Sequence, residues 1–273
     1  MLYTNWHLQK LYTGFCKTPN LWKGNSIRKL NQFEINDFSA IFNRKQERKL
    51  RLGQLAEQFV FNQIESATNL ELLAENIQIQ NQRLTVGELD AIIKMNSKPL
   101  HLEIVYKFFL YDDTVSHYGL DNWIGPNRRD SLVEKLDKLS EKQLPLLYSE
   151  FTTPYLKTLQ LDIEEIKQQV IFKAQLFTPH EKKIDFKHLS PEAQYGSYYR
   201  LLELEKLQSR CPGSKFFIPS KIDWFLKPEV QVEWLNFNRF YRKALTFLAE
   251  KRAFMFWMKR ANGQLSKDFL VWW

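Results

Sequence analysis

Two neighbouring stretches decide the fold of this chain: VGELDAIIK at Val86–Lys94 and HLEIVYK at His101–Lys107. Both stretches alternate their side chains with a period of two, which predicts β-strands over Leu84–Ile93 and Leu100–Leu110. The segment between them, Met95–Pro99, contains Asn, Ser and Pro and is typical of a turn. The sequence therefore predicts a β-hairpin.

The register of this hairpin places two acids opposite each other. If Ile93 faces Leu100, opposite residues have numbers that sum to 193, and Asp90 then lies directly across from Glu103. Cross-strand β-carbons are roughly 5 Å apart, and two carboxylates that close repel unless a cation or a shared proton lies between them. Mg²⁺ prefers one or two carboxylates together with water and substrate phosphate oxygens. The pair therefore predicts a Mg²⁺ site.

Strand alternation adds charged residues to the face that carries Asp90 and Glu103. Glu88 lies on this face of the first strand, and Lys107 lies on this face of the second. Two acids and a lysine on one face suit the binding of a metal ion and a phosphate group. The alternative interpretation is a solvated sheet face, on which the acids form salt bridges with Lys107 and the nearby Lys94.

A predicted amphipathic helix precedes the hairpin and carries LGQLAE at Leu52–Glu57. The order of this helix, GELD at Gly87–Asp90, and a strand with a Glu and a following Lys resembles the PD-(D/E)XK nuclease superfamily. The resemblance implies an α/β, restriction-endonuclease-like mixed β-sheet flanked by helices, with a Mg²⁺-dependent phosphodiesterase site. It also implies residue roles: Asp90 and Glu103 as metal ligands, Glu57 as an auxiliary acid, and Lys107 as the cation that orients the attacking water.

A closer resemblance is to the bacterial family called domain of unknown function 1853. Members of that family show GELD, an HxE with a nearby KF, and a downstream WIGPN followed by a helix with Asp and Lys. The similarity runs from about Leu52 to Leu147 and is looser toward the C-terminus. The matching residues here are Gly87–Asp90, His101 with Glu103, Lys107 with Phe108, Trp123–Asn127, Asp130 and Lys135.

The spacing of the lysine departs from the superfamily pattern. The superfamily usually has Glu-x-Lys, whereas Lys107 follows Glu103 by four residues and Val105 occupies the expected position. Four residues of regular strand span about 13 Å, against about 6.6 Å for two. A β-bulge near Val105 or Tyr106 would shorten this distance. Without a bulge, Lys107 would bind phosphate while another basic residue, or none, assists the attacking water.

The segment after WIGPN predicts a nucleic-acid contact. Asn127 suits the N-cap of a helix, whose first backbone N–H groups can bind a phosphate, and Arg128 and Arg129 add positive charge beside it. Lys135 lies on the same predicted helix, where the superfamily resemblance implies a basic or amide residue that completes the site. The alternative interpretation is a capped surface helix with solvated arginines.

Composition restricts the class of protein. The chain has 273 residues, 44% of them hydrophobic, and its formal charge of +8 favours polyanionic partners such as nucleic acid. Two cysteines, Cys16 and Cys211, make no disulfide framework, and the N-terminal residues lack a signal-peptide pattern, so we expect a cytoplasmic protein. The longest apolar run, Ala253–Met258, is too short to span a membrane.

The sequence lacks the motifs of several other common kinds of active site. The chain has no GxxxxGK[ST], no GxGxxG and no GxSxG, which argues against nucleotide-binding loops and a serine-hydrolase elbow. Its five histidines show no HxH or HExxH spacing, so a zinc site is not expected. His101 nevertheless shares a strand face with Glu103.

The remaining pattern predicts an N-terminal extension over residues 1–43, a nuclease-like core over 44–180 and a mostly helical, aromatic-rich extension over 181–273. Predicted helices include Arg44–Ser66, Arg128–Gln143, Pro191–Arg210 and Trp234–Arg260. The predicted function is Mg²⁺-dependent hydrolysis of nucleic-acid phosphodiesters. Two alternatives stay open: a non-catalytic nucleic-acid-binding module with the same fold, and a protein-interaction module whose acids form surface salt bridges.

Overall fold

The structure is a computed structural model that describes residues 3–24, 26–116 and 119–273. The described residues form six α-helices and nine β-strands. The helices are α1 (Asn5–Cys16), α2 (Leu52–Ser66), α3 (Leu132–Lys138), α4 (Thr153–Thr158), α5 (Leu201–Arg210) and α6 (Phe237–Ala249). The strands are β1 (Leu70–Asn81), β2 (Leu84–Met95), β3 (Lys98–Tyr111), β4 (Trp123–Ile124), β5 (Lys167–Pro179), β6 (Gln194–Tyr199), β7 (Lys215–Phe217), β8 (Phe254–Lys259) and β9 (Leu265–Leu270).

The strands form a mixed sheet that is flanked by helices. Their order is β1-β2-β3-β5-β6-β9-β8-β7, and β4 pairs with β3. The pairs β5 with β6 and β6 with β9 are parallel, whereas β1 with β2, β2 with β3, and β8 with β9 are antiparallel. This confirms the predicted α/β class and mixed sheet. Among the described residues, every helix is too short or too polar to cross a membrane.

The chain divides into two compact units, each with its own apolar core. The first unit comprises the described residues of Met1–Phe15, Asn20–Tyr106 and Glu134–Lys173, and the second comprises those of Cys16–Pro19, Lys107–Val133 and Ala174–Trp273. The core of the first unit includes Ile77, Ile79, Leu89, Ile92, Leu147 and Leu156. The core of the second unit includes Tyr199, Leu204, Phe216, Phe240, Phe254, Phe256 and Met258.

The predicted hairpin is confirmed, including its register. Pairs run from Ala91 with Leu102 to Met95 with Lys98, so the paired residue numbers sum to 193. Two residues between the strands, Asn96 and Ser97, have φ of 50° and 66°. This left-handed pair is what a two-residue type I′ turn requires. The turn therefore determines which residues of β2 and β3 face each other.

The first predicted helix begins later than the pattern indicated. It was expected to begin at Arg44, but α2 begins at Leu52. The Arg44 guanidinium donates to Glu65 Oε1 at 2.7 Å and to both Glu75 oxygens at 2.8 and 2.6 Å. Glu65 lies in α2 and Glu75 in β1, so these bonds hold Arg44 against two elements outside its own segment. The side-chain periodicity before Leu52 is therefore not helical.

The helix predicted over Arg128–Gln143 is also shorter. Helix α3 covers only Leu132–Lys138, a single π-helical turn follows at Leu139–Gln143, and a 3₁₀ segment continues over Leu144–Tyr148. Asn127 is therefore not the N-cap that the sequence predicted. Its Oδ1 instead accepts the backbone N–H of Ala253 at 2.8 Å.

The C-terminal part contains more strand than the prediction of a helical extension allowed. Residues 194–199 and 254–259 are the strands β6 and β8, so the helices predicted over Pro191–Arg210 and Trp234–Arg260 are each wrong in part. Gln194–Tyr199 pairs in parallel with β5 and β9. Phe254–Lys259 is rich in aromatic residues, which favour strands, and pairs along its length with β9.

Candidate functional site

Three acids of the first unit come together from three elements. Glu57 comes from α2, Asp90 from β2 and Glu103 from β3. Burial, followed by repulsion from Asp90 and Glu103, raises the pKa of Glu57, and burial, followed by repulsion from Glu103, raises that of Asp90, so the three carboxyls lie near one another. The structure thus assembles the acids that the sequence analysis grouped.

Asp90 lies at the point where the hairpin pairing ends. Beyond the pair of Ala91 with Leu102, Asp90 Oδ2 accepts the backbone N–H of Ile104 at 2.7 Å. The side chain is almost completely buried. Burial, followed by repulsion from Glu103, raises the pKa of Asp90 well above its usual range, while the bond from Ile104 opposes the rise.

Glu103 is fully buried, and side chains hold both of its oxygens. Oε1 lies 3.1 Å from His101 Nε2, and Oε2 accepts a hydrogen bond from Gln143 Nε2. Burial raises the pKa of Glu103 to about 7, although Lys135 lowers it. A solvated sheet face, the alternative interpretation of these acids, is wrong for Asp90 and Glu103 because both side chains are buried.

His101 orients Glu103. Gln168 Nε2 lies 2.9 Å from His101 Nδ1 and also donates to the backbone carbonyl of Leu144 at 2.7 Å. Burial lowers the pKa of His101 to about 4, so the ring is neutral at pH 7. Because Nδ1 accepts from Gln168, the proton lies on Nε2 and is donated to Glu103. Both ring nitrogens are therefore engaged, and His101 positions a carboxylate.

Lys135 is the cation that the structure brings to the acids. Its Nζ donates to Gln143 Oε1 at 2.6 Å, and Gln143 in turn donates to Glu103. The charge of Lys135 lowers the pKa of Glu57, Asp90 and Glu103. Lys135 was predicted as a nucleic-acid contact, and Gln143 was not predicted at all, because no spacing rule marks a glutamine in a π-helical turn. Such turns are frequent at functional sites.

The acids outnumber the basic charge beside them. Burial, then repulsion from Asp90, Glu88 and Glu103, raises the pKa of Glu57 to about 8, and Lys135 only partly opposes this rise. Within residues 3–24, 26–116 and 119–273, no group of three or more His, Cys, Asp or Glu side chains is placed to hold a metal ion. Two adjacent carboxylates still fit Mg²⁺, which takes one or two carboxylates and completes its shell with water and phosphate oxygens.

The other predicted residues lie in the second unit. Lys107 Nζ donates to Asp130 Oδ2 at 2.6 Å, so its ammonium is paired with an acid outside the group described above. Arg128 donates to Asp112, and Asn127 accepts from Ala253. Arg129 is exposed on the same loop. Of the four residues predicted to contact nucleic acid, only Lys135 accompanies the acids in the first unit.

The acids described above and their hydrogen-bond partners all lie within the part of the chain that matches a known protein family. Residues 13–267 match the protein family described as Domain of unknown function (DUF1853). The chain belongs to the DUF1853 family. No curated protein and no solved structure is similar enough to match this DUF1853 chain. The closer of the two resemblances in the sequence is thereby confirmed.

The raised pKa of Glu57 predicts a pH-dependent gain of stability for Glu57→Gln in this DUF1853 chain. The group titrates near its ordinary value of 4.5 when unfolded and near 8 when folded, so the folded state retains a proton that the unfolded state has lost. Stability conferred by that proton is lost as pH rises from about 4.5 to about 8. At pH 8 we expect the variant to unfold about 2–4 °C higher than wild type, a value that allows for solvent screening.

Thermal unfolding followed by circular dichroism at pH 4 and pH 8, with EDTA present, measures this difference. The two proteins should have equal midpoints at pH 4. Glu71→Gln is the matched control because Glu71 is exposed on β1. A Glu57→Gln midpoint that stays below that of wild type at pH 8 would contradict the raised pKa.

Proposed function

We propose that this chain hydrolyses phosphodiester bonds of nucleic acid with Mg²⁺, and that its mixed sheet is of the restriction-endonuclease-like type. The observation that carries the proposal is the pair of buried, neighbouring carboxyls of Asp90 and Glu103, with Glu57 beside them. Three acids close to one lysine form a site that a divalent cation would stabilise. The resemblance to the PD-(D/E)XK superfamily supports the reaction class by analogy.

Asp90 and Glu103 would hold the metal ion. When bound, Mg²⁺ supplies a Lewis acid for the phosphoryl oxygen and lowers the pKa of a coordinated water. The chain orients the two carboxylates through the Ile104 N–H, the His101 ring and the Gln143 amide. This preorganisation means that little rearrangement is needed at the moment of reaction.

Glu57 and Lys135 take the roles of proton carrier and cation. Glu57 lies beside the proposed metal ligands and would suit the transfer of a proton from the attacking water or to the leaving oxygen; in the chain without metal, burial raises its pKa to about 8. Lys135 stabilises negative charge that develops on the phosphoryl oxygens. The ammonium of Lys107 is bonded to Asp130, so we assign the cationic role to Lys135.

A cleavage assay tests the proposal. The chain is incubated with labelled single-stranded DNA, duplex DNA and RNA in Mg²⁺, in Mn²⁺ and in EDTA. We expect cleavage of at least one substrate with Mg²⁺ or Mn²⁺ and none with EDTA. The proposal fails if no substrate is cleaved with either metal and calorimetry detects no Mn²⁺ binding.

A second function, nucleic-acid binding without turnover, is favoured by one observation. The lysine that the superfamily pattern designates as catalytic is engaged by Asp130, which would leave the site without its expected cation. This function predicts that the chain binds nucleic acid in EDTA, more tightly at low salt, and cleaves none of the substrates. The same assay therefore separates the two functions.

A further inference from the structure

Two arginines of the second unit meet at one buried carboxylate. Arg128 Nη2 donates to Asp112 Oδ2, and Arg200 Nη2 lies 3.6 Å from Asp112 Oδ1. Asp112 is fully buried, and its Oδ1 also accepts from the backbone N–H of Thr114 at 3.1 Å and from its hydroxyl at 2.8 Å. The carboxylate is therefore held in place, and it draws both guanidinium groups toward one point.

Aromatic rings hold the same two guanidinium groups. The Arg128 guanidinium carbon lies 4.4 Å from the centre of a Trp273 ring, and that of Arg200 lies 5.9 Å from it. Trp273 Nε1 donates to the Pro126 carbonyl at 3.0 Å, which fixes the indole. Arg200 Nη2 also donates to the Tyr198 hydroxyl at 3.3 Å. Contacts of this kind reduce the conformational freedom that each arginine would lose on binding a ligand.

The backbone of Arg128 also favours this arrangement. Arg128 has φ of 55°, in the left-handed region that a residue with a side chain rarely adopts. The turn from Gly125 imposes this conformation, because the Arg128 N–H donates to the Gly125 carbonyl at 2.9 Å. The same loop carries Arg129, which is exposed. The turn therefore gives two adjacent arginines different surroundings, with only Arg128 in the cluster.

Both guanidinium groups retain donors that no described residue accepts. In the contacts among the described residues, Arg128 and Arg200 each donate only through Nη2, so Nε and Nη1 have no protein acceptor. Their side chains are 39% and 38% exposed. Asp113, which lies 4.0 Å from Arg200, is itself bonded by Lys182. Asp112 is thus the buried carboxylate that the two guanidinium groups share, while the Glu203 carboxylate accepts the backbone N–H of Arg200.

We propose that Arg128 and Arg200 form a binding site for a phosphate group in the second unit, and that the phosphates of a nucleic-acid strand occupy it. Each guanidinium keeps N–H donors, at Nε and at Nη1, that can each donate to a phosphate oxygen, and Asp112 brings two such groups together. This site is separate from the acids of the first unit. It would contribute affinity without taking part in hydrolysis.

Fluorescence anisotropy with a labelled oligothymidylate, in EDTA, tests the proposal. We expect Arg128→Gln/Arg200→Gln to weaken binding about tenfold or more, and the matched control Arg239→Gln, which changes an exposed arginine of α6, by less than about twofold. The slope of log affinity against log salt should fall by about 0.7 for each arginine lost. Equal affinities for the double variant and the control would overturn the proposal.

Two further arms make the test decisive. Unlabelled oligothymidylate and inorganic phosphate are each used to displace the labelled probe. We expect oligothymidylate to displace it at a far lower concentration of phosphate groups. If inorganic phosphate displaces it at the lower concentration, the ligand is a free phosphate compound and the assignment to a nucleic-acid strand is overturned. If the double Gln variant fails to fold, Arg128→Lys/Arg200→Lys replaces it, because lysine keeps the positive charge but lacks the several N–H donors of the guanidinium group. Unchanged affinity in that variant would also refute the site. Because EDTA is present, failure here leaves the proposed hydrolysis intact.

Discussion

Asp90→Asn and Glu103→Gln should each slow Mg²⁺-dependent cleavage by about a thousandfold or more. Each change removes one of the two charges that would hold the ion, and the amide that replaces it is a weaker ligand for Mg²⁺. Folding should survive both changes, because burial raises the pKa of both carboxyls and their ionised forms are costly in the folded state. Single-turnover rates at saturating substrate measure the loss.

Controls separate lost chemistry from lost structure. Glu71→Gln removes a carboxylate from the exposed side of β1 and should leave the rate within about twofold of wild type. Mn²⁺ calorimetry should show that Asp90→Asn and Glu103→Gln bind the ion at least about tenfold more weakly, while thermal unfolding confirms that they are folded. Wild-type rates in both variants would remove these acids from the metal site.

The hairpin could be predicted because its determinants are local. A polar turn between two alternating strands determined the register, and the structure has the same pairing of Ile93 with Leu100. Once the register was known, strand geometry predicted that Asp90 lies near Glu103, although the observed pairing ends one pair before them, at Ala91 and Leu102. Glu57 was found differently, through the resemblance of its helix to a known pattern, since periodicity does not show which face of a helix contacts a sheet.

The burial and partners of the acids could not be predicted. The residues of β2 from Leu89 to Ile93 are all buried, so the strand has no solvated face and alternation there does not separate inside from outside. Gln143 and Gln168 reach Glu103 and His101 from elements distant along the chain. Contacts of this kind depend on tertiary packing.

The errors in the C-terminal part have the same origin. Phe254–Lys259 carries apolar residues that suit one face of a helix as well as a strand, and its six residues pair with β9. The true end of α6, at Ala249, is followed by Lys251 with φ of 51°, a conformation that breaks the helix. A lysine at this position does not predict the end of a helix, whereas a glycine would have predicted it.

Lys135→Met should reduce the cleavage rate about a hundredfold, whereas Lys107→Met should change it by less than about threefold. Lys135 lowers the pKa of Glu57, Asp90 and Glu103, so it lies close enough to act on charge at the proposed metal site, and its bond to Gln143 connects it to Glu103. Lys107 is occupied by Asp130. Single-turnover cleavage rates of the two variants, compared in the same buffer, measure the difference.

The pH dependence of cleavage distinguishes an electrostatic role of Lys135 from a structural one. Without the charge of Lys135, the pKa of Glu57 and of Glu103 should rise further. The protons that compete with the metal are then lost only at higher pH, so the part of the profile in which the rate rises should shift to higher pH. Lys138→Met, an exposed lysine on the same helix, should leave the profile in place, and Lys135→Arg should restore part of the rate. A large loss of cleavage rate in Lys107→Met, with no loss in Lys135→Met, would instead assign the catalytic role to Lys107. The bond between Lys107 and Asp130 would then have to open when substrate binds.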